Sequence, residues 1–206
     1  LTGLMVFFDM TAGVLGMALG TASFILAWAL PRFGAALTSL AWALAFLAMP
    51  LIGPISARLI SSGAVDAFPL SWQMRIHTWS FVSERVAERP WIGWGMDASR
   101  TFKEQYVLSI YTVDTVPLHP HNAPLQVWLE TGFVGVALLV AALLALTFLF
   151  LRQAPDLNSS TIRAATLSAA LGVALVSFGV WQEWWVVTLM LTAGLVCLAR
   201  KEPGNA

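Results

Sequence analysis

Long apolar runs fill both ends of the chain, and one long polar stretch separates them. A helix that crosses a bilayer needs about 20 mostly apolar residues. Five runs approach that length. They are Met10 to Leu30, closed by Pro31-Arg32; Gly34 to Gly53, with Pro50 near its end; Phe133 to Leu151, stopped by Arg152; Ile162 to Val180; and Trp184 to Ala199, stopped by Arg200-Lys201. The pattern predicts an all-α integral membrane protein with about five transmembrane helices. Residues 1–53 hold two of them, residues 54–132 form one large, partly helical loop, and residues 133–206 hold three more and a short tail.

Basic residues beside the runs predict the orientation, because loops rich in Lys and Arg stay in the cytoplasm. Arg32 lies between the first two runs, Arg152 and Arg163 flank the connection between the third and fourth, and Arg200-Lys201 follow the fifth. Five alternating helices put all of these on one side, together with the C-terminus. The large loop then faces outward, and Trp181, Trp184 and Trp185 fall at the outer headgroup layer, where amphipathic rings are favoured.

Composition agrees. Hydrophobic residues make up 58% of the 206 and charged ones 11%, against about 25% charged in a soluble domain. The formal net charge of zero gives no basic patch for nucleic acid. The lone Cys197 allows no disulfide framework or cysteine-rich metal site. The chain opens at Leu1 without a signal-peptide pattern, and is expected to be a C-terminal fragment whose upstream helices are missing. In the first run, Gly16 and Gly20 form a GxxxG, which serves helix dimerisation or close packing within one bundle. Asp9 is either a hydrated interface residue or a buried site candidate.

The loop carries the chemistry-bearing residues: six of the eleven basic, seven of the eleven acidic and all three histidines. Connections usually run about 4–6 residues, so a loop this long points to function. From Ser71 to Arg89, Trp72, Ile76, Trp79, Val82 and Val86 recur at helical spacing between Pro69 and Pro90. Arg75 and His77 flank that stripe, and Arg85 and Arg89 lie beside Glu84 and Glu88, as in a solvated charged face. Pro90-Trp91-Ile92-Gly93-Trp94-Gly95 reads as a turn whose indoles either anchor at an interface or stack on a sugar. Further on, Asn122 is a good helix N-cap and Pro124 suits a first turn. His121 then sits at a helix N-terminus, which attracts anions, and an imidazole there is either structural or a general base. Zinc is a poor fit: His119 and His121 are two apart around a proline, and no cysteine is near.

His121-Asn122, nine residues, then Gly132-Phe133-Val134-Gly135 resembles the signature of the O-antigen ligase superfamily, which includes O-antigen polymerases. QMRIHTW, with Arg75, resembles the arginine-bearing helix that opens the working part of that family's loop. Pro90 to Gly95 is similar to its Pro-apolar-apolar-Gly-apolar-Gly stretch. The resemblance implies a glycosyltransferase of the bacterial inner membrane, with a periplasmic loop, three spanning helices after it and a cytoplasmic C-terminus. It implies transfer of a glycan from undecaprenyl diphosphate to a lipid A-core sugar hydroxyl, in lipopolysaccharide biosynthesis, by a metal-independent, inverting route without a cofactor. A polymerase acting on another glycan repeat, or a protein O-oligosaccharyltransferase, are alternatives within the superfamily. His121 would accept the acceptor's proton and Arg75 would hold the diphosphate. Arg85, Arg89, Asn122 and Trp94 are candidate substrate contacts, and Gly93, Gly95, Gly132 and Gly135 carry the motif's shape. Full members have about a dozen spanning helices, so the lipid-carrier site is expected to need helices that this chain lacks.

A non-catalytic transporter or flippase fragment is the alternative from another class. It predicts charges inside the spanning runs. Here the run interiors are almost uncharged, and the polar residues gather in one loop.

Overall fold

The structure, a computed structural model, describes residues 11–108, 110–153 and 156–198. Asp9, Arg200 and Lys201 lie outside them. The chain is mostly helical: α1 (Thr11–Ala29), α2 (Gly34–Ala48), α3 (Ile52–Ser61), α4 (Leu70–Glu88), α5 (Ala123–Leu151), α6 (Leu157–Ala174) and α7 (Glu183–Leu198). Among the described residues three helical stretches are long and apolar enough to cross a membrane: Thr11–Ala29, Gly34–Ser61 and Ala123–Leu151. The fourth expected run forms α6, whose polar Ser and Thr positions face inward, and the fifth forms α7, a shorter apolar helix.

Some boundaries differ from the apolar pattern. Helical structure continues beyond Gly53 to Ser61, through a 3-10 turn at Met49–Leu51. Pro50 has no N–H to give to the carbonyl of Phe46. The indole of Trp128 supplies that hydrogen bond instead, at 2.7 Å. The 3-10 turn at Pro50 therefore leaves the Phe46 carbonyl paired. α6 starts at Leu157, before Ile162, because Asp156 caps it by accepting from the Ser159 N–H at 2.9 Å. It ends at Ala174, short of Val180, since the segment with Ser177 and Gly179 leaves the helical path. Hydropathy alone does not register that exit.

The described chain divides into two compact units. In the first, Gly16 and Gly20 of α1 abut α6. A Cβ on Gly16 would lie 2.9 Å from the Ala169 carbonyl, and one on Gly20 3.1 Å from that of Ala165. This GxxxG thus serves close packing inside the chain. At its centre the buried Ser168 hydroxyl oxygen accepts from Ser23 at 2.6 Å and from the Trp42 indole at 2.8 Å.

The second unit comprises Leu44–Ala141 with Ser177–Gly179. α4 buries Ile76, Trp79, Val82 and Val86 of the stripe expected from the sequence, while Trp72, its first position, is only half-buried. The loop also holds a short antiparallel hairpin, β1 (Gln105–Leu108) with β2 (Tyr111–Asp114), which the helical reading did not foresee. QYVL and YTVD between them carry two tyrosines, two valines and a threonine, types enriched in strands. The hairpin is tied to α4 where Tyr106 stacks on His77, ring centroids 4.6 Å apart.

α5 is two helices joined at Gly132, whose φ of 62° and ψ of −163° are open only to glycine. The break exchanges backbone partners. In a continuous helix the N–H groups of Phe133 and Val134 would donate to Leu129 and Glu130. Here they donate to the carbonyls of Pro90 and Trp91, at 2.7 and 3.1 Å. The carbonyls of Leu129 and Glu130 accept instead from Trp94 and Gly95, at 2.8 and 3.0 Å. The Pro90–Gly95 turn is thereby spliced into α5. A Cβ on Gly93 would lie 2.6 Å from the Leu129 carbonyl, and one on Gly132 2.6 Å from the Ile92 nitrogen.

Gly132→Ala combines this overlap with a backbone strain of about 1–3 kcal/mol. It is expected to lower the unfolding midpoint in detergent far more than Gly63→Ala, where φ is 73° but nothing lies within 4 Å. At Gly63 the strain alone is about 1–2 kcal/mol. Equal midpoint shifts for the two variants would show that the splice contributes little.

Candidate active site

The segment from Thr115 to Asn122 is held on one side by α4. Thr78 donates to the Thr115 carbonyl at 2.7 Å, and the Trp79 indole donates to the Pro120 carbonyl at 2.9 Å. Arg75 lies three and four residues before these two, hence on the same helix face. On the other side Asn122 caps α5, its Oδ1 accepting from the Leu125 N–H at 2.9 Å. Its amide nitrogen also meets the Met49 sulfur at 3.3 Å.

His121, between these attachments, has a left-handed backbone, φ 52°. Left-handed geometry is uncommon for residues other than glycine. Its Nδ1 lies 2.7 Å from the Ser177 carbonyl oxygen. A carbonyl only accepts, so Nδ1 carries the proton in the neutral ring, and Nε2 keeps its lone pair. The backbone N–H of His121 donates to His119 Nδ1 at 3.2 Å. His119 therefore holds the opposite tautomer, with its proton on Nε2. Both rings are kept neutral. Burial pushes the His119 pKa down to about 4, helped by the positive charges of Arg100 and Arg75. Burial also lowers that of His121, which the hydrogen bond to Ser177 raises and Arg75 lowers further.

Arg75 shares the α4 face of Thr78 and Trp79, which hold the segment that carries both histidines. Its guanidinium donates to the Ser71 carbonyl at 2.8 Å and lies 5.6 Å from the Trp72 ring centre, and burial lowers its pKa. The other candidates stand in the packing of the turn. Arg85 pairs with Glu88 at 2.8 Å. Arg89 lies 4.1 Å above the Trp94 ring, and the Trp94 indole donates to the Arg85 carbonyl at 2.7 Å. Gly93, Gly95 and Gly132 form the splice, while Gly135 lets the Thr131 side chain lie against the helix. Burial lowers the His77 pKa, against the pull of Asp66, and raises that of Tyr106 to about 12. Among the described residues, no three His, Cys, Asp or Glu side chains group as around a metal ion.

Two contributors to the site, and one buried carboxylate of α5, escaped the sequence reading. Ser177 orients His121, and Gly179 lies under the His119 ring, where a Cβ would come 2.9 Å from Cδ2. A Ser-Phe-Gly inside an otherwise apolar run is their only signal, because glycine punctuates such runs. Glu130 is fully buried and accepts from the Gln126 amide at 2.9 Å.

Comparison with known proteins is consistent with these motifs. A family model described as O-antigen ligase matches residues 1–140. Proteins of Rickettsia felis, Rickettsia typhi and Rickettsia prowazekii designated as candidate polysaccharide ligases are 30%, 28% and 29% identical. The matches cover 86–87% of this chain and 44–45% of those proteins. The chain thus spans under half the length of these curated relatives. No solved structure matches it.

Neutral imidazole reacts with diethylpyrocarbonate and imidazolium does not. The lowered His121 pKa therefore predicts a carbethoxylation rate, followed by peptide mass spectrometry, that is still above half its plateau at pH 6.5 and reaches half only at lower pH. A half-maximal rate at or above pH 6.5 would contradict a pKa depressed by burial.

Proposed function

Because the chain belongs to the O-antigen ligase family, we propose that its loop carries the transfer site of a lipid-linked glycan ligase in the bacterial inner membrane. The loop lies on the periplasmic side and the C-terminus in the cytoplasm, the arrangement favoured by Arg32, Arg152 and Arg163. The donor is a glycan on undecaprenyl diphosphate, and the acceptor is a lipid A-core sugar hydroxyl. A glycan repeat or a protein hydroxyl would make the same chemistry a polymerase or a protein glycosyltransferase.

The observation that carries this reading is the His121 tautomer, on a segment held by the α4 face that bears Arg75. Nε2 of His121 takes the proton of the acceptor hydroxyl as its oxygen forms a bond to the donor's anomeric carbon. The bond from that carbon to the diphosphate oxygen breaks on the opposite face, so the configuration inverts. Undecaprenyl diphosphate leaves with the bonding electron pair, and the imidazolium then releases its proton to solvent. Arg75 stabilises the charge developing on the leaving diphosphate, where a fixed guanidinium is most effective. Asn122 holds the α5 N-terminus and so keeps His121 in register. Arg85, Arg89 and Trp94 stay with their partners in the turn; either arginine would have to leave Glu88 or Trp94 to join the phosphate. No residue here requires a metal to perform these steps.

In the full-length protein, His121→Ala and Arg75→Ala are expected to reduce glycan attachment by at least about 100-fold, the order that a general base or an electrostatic donor supplies, without affecting insertion into the membrane. Near-normal transfer by His121→Ala would end the proton-acceptor role. A base must be unprotonated to act, so the rate should rise with pH through a value below 6.5 and level off above it. An acid limb centred above 6.5 would assign the titration to another group.

A further inference from the structure

Trp91 and Ile92 are 67% and 74% exposed, although they stand on a turn that four backbone hydrogen bonds tie to α5. Stability of the turn does not require them, since the splice is made by backbone atoms. Their position relative to a bilayer follows from their partners. The Trp91 carbonyl accepts from Val134, the Pro90 carbonyl accepts from Phe133, and the Trp91 ring meets Phe133 edge to face at 5.8 Å. Phe133 and Val134 open the apolar run that extends without a charge to Leu151, ahead of Arg152. Those 19 residues of helix measure about 28 Å, close to the roughly 30 Å of a hydrocarbon core. With Arg152 at one boundary, Phe133 falls at the other. Trp91 and Ile92, bonded to its start, lie at the same depth. Phe133 and Val134 are themselves 41% and 49% exposed, so the apolar surface continues from the turn onto the helix.

We propose that the Pro90–Gly95 turn is an interfacial anchor, with Trp91 and Ile92 immersed in the headgroup and acyl-chain boundary of the bilayer. The occupant of this surface is lipid. An indole favours that layer, and a branched aliphatic side chain gains by leaving water. Trp94, three residues on, turns inward under Arg89, so the two indoles of the motif have different surroundings. The anchor fixes the depth of α4 and α5 where they carry the loop. It rests on α5 crossing the bilayer and is independent of the transfer chemistry.

The test is nitroxide accessibility in the protein reconstituted into phosphatidylethanolamine–phosphatidylglycerol liposomes. Ile92→Cys, Leu144→Cys and Glu104→Cys are each labelled in a Cys197→Ser background. Label at 144 should be relaxed by oxygen and shielded from a water-soluble nickel chelate, and label at 104 the reverse. Label at 92 should be relaxed by oxygen several-fold more than by the chelate. A water-like response at 92, with 144 lipid-like, overturns the anchor and leaves the turn to a soluble ligand such as a sugar. Shielding of 92 from both agents also overturns it, because protein then covers the turn. A water-like response at 144 overturns the anchor through its premise, the span. Should Ile92→Cys fail to insert, brominated-lipid quenching is compared in the parent and Trp91→Phe. Loss of a quenched component supports the anchor, and unchanged quenching overturns it.

Discussion

Four backbone hydrogen bonds between the Pro90–Gly95 turn and the break in α5 hold the second unit in shape. They exist because Gly132 turns the chain out of the helix and because neither Gly93 nor Gly132 has a side chain to keep the strands of backbone apart. A buried helix break normally strands donors and acceptors, at a cost of about 1–3 kcal/mol for each unsatisfied group. Here the turn provides a partner for each one. The two glycine-bearing motifs, separated by more than thirty residues, are therefore one structural device.

That device fixes the part of α5 from Ala123 to Glu130, which is buried throughout. Asn122 caps its start, and His121 precedes the cap in a left-handed conformation. Thr78 and Trp79 of α4 hold the same segment from the other side, one turn from Arg75. The arrangement concentrates a fixed cation and a neutral imidazole with its Nε2 lone pair unspent on Ser177. Burial gives both histidines lowered pKa values, so the ring remains a base at neutral pH. The proposed reading of this geometry as a glycan-transfer site rests on the family membership.

Much of this was legible in the sequence. The α4 stripe, the Asn122 cap and the apolar runs follow from periodicity and capping chemistry, which act locally. The motif glycines were visible as glycines, but their meaning was not. Only the folded chain shows Gly93 against the Leu129 carbonyl and Gly132 against Ile92. Ser177 and Gly179 were hidden because hydropathy averages over an apolar run and does not see a backbone carbonyl turned toward a distant histidine. The hairpin was hidden by its shortness, and Glu130 by its place beside a long apolar run. Trp128 shows the same limit: pairing of its indole with the Phe46 carbonyl follows from Pro50 only when both are seen together.

The central claim is that His121 presents an unprotonated Nε2 while its Nδ1 is held by Ser177. Nitrogen-15 chemical shifts of His121 in the histidine-labelled protein at pH 7 measure this directly. The account predicts a protonated, pyrrole-like Nδ1 and an unprotonated, pyridine-like Nε2. A proton on Nε2, or an averaged shift from two exchanging tautomers, would contradict it.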